Sequence, residues 1–598
     1  MVFNSSKPTF IKPFSFILGM SQQPSPWNLS DITPRNLEAA LQHIERQIQA
    51  FEKERPTLTP KISTSHFLKL IPQLEQLTRD ASMLGAYAEL HWAENSADQK
   101  AQALRSRVDQ FLRKLSNRLL FFDLWFKKVL PEKKAKELLK ASGLYRYHFE
   151  QVRKTAPYTL LENEEKIIQI KDGSGVNALR TVYDMLTSQF RYTVQEKELA
   201  QEEVLSLVHH ASPKARREAY TALLSKYASF RDPLGEVYRN IILDWKEECL
   251  GLRGYKTPMQ VRNIANDIPD KAVEALLRVC ERNYRVFQCY FAVKKRALKL
   301  RTFARFDLYA PIAITSEKKI PYHEALQLVL STFEEFSPAF RSAAEAIVQK
   351  QHVHSRVQPN KRTGAFCSSI TTKILPYVLL SYTGKLRDVF TIAHELGHGV
   401  HDVLAQKQTE FTAQATLPLA ETASTFGEML LSERLLDLYP EQRKAYLFQK
   451  LDDLYATIPR QAGFILFEKK AHEQIPQGCT LQELSSQYLA DLRKQFGPSM
   501  AVPELFANEW LYISHIFHTP FYCYAYAFGN LFVLSLYEQY RREGKAFVPK
   551  MIRLLSRGGS ASPLELTKEM GVDICSEAFW QQGFAMIARL VDEAERMV

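Results

Sequence analysis

The sequence predicts a mainly α-helical protein built as more than one lobe, with a single small β-sheet near its middle. Three observations carry this expectation. Apolar residues recur at three- and four-residue spacing over most of the chain, as at Leu37, Leu41, Ile44 and Ile48, the period of a helix with one buried face. Alternating, β-branched or aromatic runs concentrate between residues 302 and 382, where they suit a half-buried sheet. The chain has 598 residues, about four times a common single-core domain, so its core divides between lobes.

Taken in order, residues 1–19 carry Lys7 and Lys12 ahead of the short apolar run 14–18, with Pro8 and Pro13 interrupting it. The run is too short for a secretory signal and lacks a small-x-small cleavage site, so a disordered extension or a start at Met20 is expected. From 34 to 228 the pattern is helical and strand signals are nearly absent. Breaks at 56–60, 95–97, Pro131 and 172–175 read as turns between long helical hairpins. The expected N-terminal lobe is 20–200, and the second unit is 201–598. A second helical series runs over 213–301, followed by the β candidates 303–309 and 367–382. Helical periodicity returns from Lys385 onward, punctuated by turn clusters at 476–479, 557–562 and Gly571. No internal repeat or low-complexity tract is present.

Composition excludes several classes of function. With 45% hydrophobic and 24% charged residues, the chain is not disordered as a whole. No run reaches the roughly 18 apolar residues of a membrane span, so a soluble protein without a membrane partner is expected. Lys+Arg 78 against Asp+Glu 66 gives a net charge of +12, but the excess is dispersed. Its densest patch, Lys127, Lys128, Lys133, Lys134 and Lys136, is interleaved with Glu132 and Glu137, which reads as a solvated helix face rather than a nucleic-acid site. The seven cysteines form no C-x-x-C pair and no framework, which favours free thiols and a cytoplasmic location.

The chemistry lies in Asp388-Val-Phe-Thr-Ile-Ala-His394-Glu395-Leu-Gly-His398. H-E-x-x-H within a helical stretch puts His394 and His398 at i and i+4 on one face, so both imidazoles can reach one ion. Glu395 lies about 100° around the helix from His394, placed to act on a water at the metal without becoming a ligand. A third ligand is sought in Leu417-Pro-Leu-Ala-Glu421-Thr-Ala-Ser-Thr-Phe-Gly-Glu428. Glu421 opens a new helix and would complete a His, His, Glu zinc site with an open fourth position. Glu410, at or just past the end of the motif helix, is the main rival; Asp402 and Glu428 are the others. Glu428, two turns beyond Glu421, is placed to hydrogen-bond a ligand histidine from behind, or is a surface acid. The pattern H-E-x-x-H-x-x-G-x-x-H is excluded, because His401 and Leu404 occupy its Gly and His positions.

With Pro376-Tyr-Val-Leu-Leu-Ser-Tyr382 upstream and Phe521-Tyr-Cys-Tyr-Ala-Tyr-Ala-Phe-Gly529 downstream, these segments resemble the oligoendopeptidase F branch of the thimet oligopeptidase-like zinc metallopeptidases. The N-terminal lobe matches only in helical texture and length. The resemblance implies a two-lobed helical zincin-type metallopeptidase with a deep central channel and a small sheet beside the active-site helix. It implies one zinc per chain on His394, His398 and Glu421, Glu395 as general base, and oligopeptide substrates cut at internal bonds. A zinc exopeptidase, which needs a charged group fixed near the metal, and a silent peptide-binding protein are the alternatives. The resemblance also implies a histidine and tyrosines facing the zinc across the channel: His515 and Tyr522 first, then Tyr526. Tyr522 and Tyr526 share a face if the segment is helical, while Tyr524 points elsewhere. The plain alternative is that these tyrosines and His518 are core aromatics. Arg362-Thr-Gly-Ala-Phe-Cys-Ser-Ser369 is a strand that could pair with an extended peptide, or an ordinary buried strand. Oligomeric state stays open.

Overall fold

The computed structural model describes residues 23–312 and 319–598. The expected extension over 1–19 and the choice between Met1 and Met20 lie outside the described residues.

The chain is mainly helical, as expected. In the N-terminal lobe, α1 (Leu37–Glu52), α2 (Thr64–Glu94) and α3 (Gln99–Leu124) form a bundle. Each starts where a side chain caps it: Asn36 accepts from the Ala39 N–H, Ser63 from His66, and Asp98 from Lys100 and Ala101. Caps of this kind satisfy donors the helix itself leaves orphaned. Leu41, Ile44 and Ile48 of α1 meet Leu77, Leu84 and Ala88 of α2 and Val108 and Leu115 of α3. The far end of the lobe is closed by Phe51, Phe67, Phe122, Trp125, Phe126 and Phe149. The largest apolar cluster runs separately, from Val176 to Ala594. No helix among the described residues is long and apolar enough to cross a membrane.

Two strand expectations need correction. Strands β1 (Tyr192–Val194) and β2 (Lys197–Leu199) form an antiparallel hairpin in the stretch where strand signals are nearly absent. Its tip residues, Gln195 and Glu196, both have positive φ, 51° and 64°, so the hairpin lacks the Asn-Gly signal that usually marks such a turn. Conversely, 303–309 is no strand. Arg305–Asp307 is a 3₁₀ turn, and only Ala304 bridges to a neighbour, Ala501. The charged residues of this turn are buried: Arg305 pairs with Glu509 at 2.8 Å and Asp307 with Arg216 at 2.6 Å.

The expected sheet is present over the remaining β candidate. It has three strands, β3 (Val353–His354), β4 (Phe366–Ser368) and β5 (Tyr377–Leu379), in the order β3-β5-β4. β5 is central and fully buried, parallel to β3 and antiparallel to β4. Its side chains alternate as a pleat requires. Tyr377 and Leu379 pack with Trp27, Ile32, and Leu90 and Ala93 of α2, while Val378 joins the large C-terminal cluster. The sheet therefore ties the two lobes together. β4 is the half-buried edge, and beside it a cavity of about 440 Å³ opens between the lobes, lined by Ser82, Glu89, Ser368, Thr371, Asp402 and Gln406 among others.

Candidate active site

The motif lies on α4 (Leu386–Ala405). Asp388 starts this helix by accepting from the Thr383 and Lys385 N–H groups at 2.7 and 3.1 Å, an anion at the positive end of the helix. α4 packs against α5 (Thr422–Leu438) with a glycine from each helix at the contact. A Cβ on Gly397 would lie 2.6 Å from the Ser424 Cα, and one on Gly427 would lie 3.2 Å from the Ala393 carbonyl oxygen. At Gly397 a Cβ would force the two backbones apart, while at Gly427 it would press on its neighbours. Glu421 sits where the short helix Leu417–Ala420 breaks and α5 begins, so its carboxylate leans over the histidine face of α4.

Three ligand atoms converge. His394 Nε2 lies 3.2 Å from His398 Nε2, and Glu421 Oε2 lies 3.4 Å from the former and 3.3 Å from the latter. A tetrahedral ion with bonds of 2.0–2.1 Å holds its ligands about 3.3–3.4 Å apart, so the triangle has the size zinc requires. Among the described residues, His394, His398 and Glu421 are the group of His, Cys, Asp or Glu whose ligand atoms converge in this way.

The surroundings orient this triangle. Glu428 Oε1 accepts from His394 Nδ1 at 2.6 Å, which leaves the Nε2 lone pair aimed at the common point. Lys450 holds the other Glu428 oxygen at 3.3 Å, and the Ser424 hydroxyl donates to Glu421 Oε2 at 2.8 Å. Burial opposes charge on each of these groups, yet Lys450 and His394 hold Glu428 down to about 2, and the two histidines with Ser424 hold Glu421 down to about 2. Burial likewise disfavours a charged His394, but Glu428, Glu421 and Glu395 outweigh it and raise the imidazole to about 9. The field at the common point thus favours positive charge, and the donor set fits a divalent cation of borderline softness. Glu395 is 5% exposed; burial raises its pKa while the two histidines lower it.

The residues singled out elsewhere separate clearly. Glu410 belongs to the lobe interface: its carboxylate binds Arg79 at 2.8 Å and the Thr372 N–H and hydroxyl at 3.0 and 2.7 Å. Asp402 lines the interlobe cavity, and burial pushes it up to about 7. Glu410→Ala is accordingly expected to leave zinc affinity unchanged and to destabilise the fold by about 1–3 kcal/mol, because it strands the Thr372 donors and the Arg79 charge. Parallel metal titration and thermal melts check both halves.

His515, on the short helix Ser514–His518, meets two of the predicted tyrosines. The His515 and Tyr522 rings are nearly parallel with centroids 6.0 Å apart, and the Tyr526 hydroxyl lies 3.4 Å from His515 Nε2. Tyr526 is in the first turn of α6 (Tyr524–Glu543). One turn later a Cβ on Gly529 would lie 3.6 Å from the Glu421 Cβ, so α6 packs against the Glu421 side of the cluster. Burial, Tyr522 and the Glu421 charge all raise the Tyr526 pKa, so its hydroxyl keeps its proton. The premise of a shared helix face is corrected. Tyr522 precedes α6 and reaches Tyr526, at 5.4 Å between centroids, through a turn at Phe521, whose φ is 57°. Tyr524 is buried and accepts from Asn266 at 2.8 Å, and His518 pairs with Asp184 at 3.0 Å; both lie away from the cluster. Sequence reasoning missed Lys450 and Ser424. Ser424, three residues after Glu421 at the start of a helix, was findable, whereas nothing local marks Lys450.

The sequence profile of peptidase family M3 matches residues 206–586, and a second profile described as Oligopeptidase F matches 128–192. The chain is 26% identical over 576 residues to an oligoendopeptidase F homolog of Borreliella burgdorferi, covering 92% of this chain and 94% of that one. It is 24% identical over 588 residues to oligopeptidase PepF of Bacillus subtilis, covering 96% and 87%. The crystal structure of a Chlamydophila abortus protein described as a peptidase superposes with a TM-score of 0.85 at 25% identity, covering 96% of this chain and 100% of that one. A profile match over more than half of the chain, enclosing the whole histidine and glutamate cluster, settles the assignment: the chain belongs to peptidase family M3, as a metallo-oligopeptidase.

Proposed function

We propose that the protein is a zinc-dependent endopeptidase that hydrolyses internal bonds of oligopeptides, with His394, His398 and Glu421 holding one zinc per chain and Glu395 as general base. The observation that carries this reading is the convergence of His394 Nε2, His398 Nε2 and Glu421 Oε2 within 3.4 Å of one another. A zinc ion, when bound there, acts as a Lewis acid that polarises a carbonyl and makes water a stronger acid. Glu395 takes the proton of the attacking water and passes it to the leaving amine. Its burial supports this role, since it makes the carboxylate a stronger base than an exposed acid would be. Glu428 fixes the tautomer of His394.

An extended substrate fits the free edge of β4, where its backbone can add a strand beside the interlobe cavity. His515, Tyr522 and Tyr526 form a cluster of neutral donors, suited to stabilising the oxyanion that develops on the carbonyl without competing for metal. His515→Ala and Tyr522→Phe, with Tyr526→Phe next, are expected to lower kcat by about 10²–10³-fold with little change in KM or zinc content. If His515→Ala and Tyr522→Phe both stay within a few-fold of wild type, the segment returns to ordinary aromatic packing.

The M3 match over 206–586 supports dividing the chain into a helical lobe at 20–200 and a catalytic domain at 201–598. Seven free thiols support a cytoplasmic location. The decisive test of function is incubation with a defined peptide mixture, with and without a chelator, and mapping of products by mass spectrometry. Internal cuts that disappear on chelation are expected. Release of terminal residues alone would favour the exopeptidase reading, and no cleavage would favour a peptide-binding protein.

A further inference from the structure

We propose that Asp402 and the interlobe cavity beside β4 form a subsite that selects a basic side chain, lysine or arginine, about two residues from the scissile bond of the substrate. The inference deepens the endopeptidase reading above and rests on it for where the peptide lies.

The cavity lies where such a peptide passes. His394, His398 and Asp402 follow one another at four-residue steps on α4 and share a face, so Asp402 stands one helical turn, about 6 Å, beyond the second histidine. β4 runs beside it: the Cys367 thiol donates to Asp402 Oδ2 at 3.9 Å, and Ser368 lines the cavity. A strand added to the free edge of β4 advances about 3.3 Å per residue, so one helical turn along α4 corresponds to about two peptide residues. The far wall is α2 of the N-terminal lobe, whose Thr78, Ser82 and Glu89 share one face. The space between the walls, about 440 Å³, is ample for a long side chain.

The lining sets the sign of the charge this space accepts. The chain carries a net charge of +12, yet among the described residues the cavity is lined by three carboxylates, Glu89, Glu410 and Asp402, and by no lysine, arginine or histidine. Two of the three are already matched. Glu410 is held by Arg79 and Thr372, and Glu89 lies between Arg105 at 2.5 Å and Arg362 at 3.0 Å. Asp402 is left over. Among the described residues its hydrogen-bond partner is the Cys367 thiol, a weak donor. His398 acts on it only as a nearby charge, unlike Glu428, which hydrogen-bonds His394 directly.

An acid in this position is costly to the fold. It is half-buried without a cationic partner, and it sits in the last turn of α4, where the helix end carries partial negative charge. A cationic side chain entering the cavity relieves both costs at once. The hydroxyls of Thr78, Ser82 and Ser368 lie on the same walls and can accept the remaining N–H donors of a lysine or arginine. A neutral side chain leaves Asp402 unpaired, and an acidic one is repelled, so the cavity discriminates by charge as well as by size.

The experiment gives the zinc-loaded full chain a set of internally quenched peptides that carry lysine, norleucine or glutamate at each position in turn, with the cut mapped by mass spectrometry. Lysine is expected to raise kcat/KM over norleucine by about 10–100-fold at one position about two residues from the cut, the range of a hydrogen bond between charged groups, and glutamate to lower it there. In Asp402→Asn the lysine-to-norleucine ratio should fall to near one, and in Asp402→Lys the order should invert in favour of glutamate. If Asp402→Lys does not fold, the isosteric Asp402→Asn carries the test. A ratio that Asp402→Asn leaves intact, or no lysine preference near the cut in wild type, would overturn the inference. So would equal slowing of all the peptides in Asp402→Asn together with loss of zinc, which would make Asp402 a support for His398. A binding arm separates this inference from the endopeptidase reading: Kd for the same peptides is measured by fluorescence anisotropy on the Glu395→Gln chain, with and without Asp402→Asn. A lysine preference in Kd that Asp402→Asn abolishes would uphold the subsite even if wild type cut no peptide, whereas equal Kd values without cleavage would overturn both.

Discussion

Glu395→Gln is expected to lower kcat for peptide hydrolysis by about 10²–10⁴-fold, the range of a lost general base, while zinc content stays at one per chain. Glutamine has the size of glutamate, so the nearly closed position on α4 is refilled without a cavity. It keeps a hydrogen-bonding oxygen but has no basic site for the proton of the attacking water. The substitution also removes one of three carboxylates, Glu395, Glu421 and Glu428, whose charges oppose one another around the two histidines. Thermal stability should therefore hold or rise slightly, which separates a chemical defect from a folding defect. Elemental analysis beside steady-state kinetics decides the matter. A metal-free Gln variant, or one that turns over near the wild-type rate, would show that Glu395 is not the base.

The second large effect is expected at Glu421. Glu421→Ala removes the anionic ligand atom, leaving two imidazoles 3.2 Å apart at Nε2 with no carboxylate between them. Zinc affinity should fall by more than the about 10–100-fold expected for Glu428→Ala, which removes only the hydrogen bond behind His394. Competition with a chromogenic chelator measures both. A thermal readout runs alongside: zinc should raise the melting temperature of wild type by binding the folded state, and raise that of Glu421→Ala far less at the same concentration. Zinc affinity equal to wild type in Glu421→Ala would remove it from the ligand set. Glu410→Ala is the control, since Glu410 is committed to Arg79 and Thr372.

What could be foreseen from the sequence here follows the range of the forces involved. The i and i+4 placement of His394 and His398 is a property of the helix itself, and the apolar period over Leu41, Ile44 and Ile48 announced the buried face of α1. Glu421 was legible because it opens a new helix after a short connection. Backbone conformation set by distant partners was not. The hairpin at 192–199 turns through Gln195 and Glu196, which carry no turn signal. The 303–309 alternation was misread because Arg305 and Asp307 find buried partners, Glu509 and Arg216, far away in the chain.

The composition of the site divides along the same line. The sequence by itself determined a helix with two histidines on one face, a candidate third acid at the start of the next long helix and a predominantly helical fold, because each depends on residues close together in the chain. Only the tertiary structure decided that Lys450 steadies Glu428, that Glu410 faces the other lobe, and that Tyr522 reaches Tyr526 from outside the helix. Those outcomes depend on close approach between segments: α4 against α5 at Gly397, and the turn at Phe521 against a helix more than fifty residues earlier. Packing selects such contacts from alternatives that local propensity leaves nearly equal in free energy.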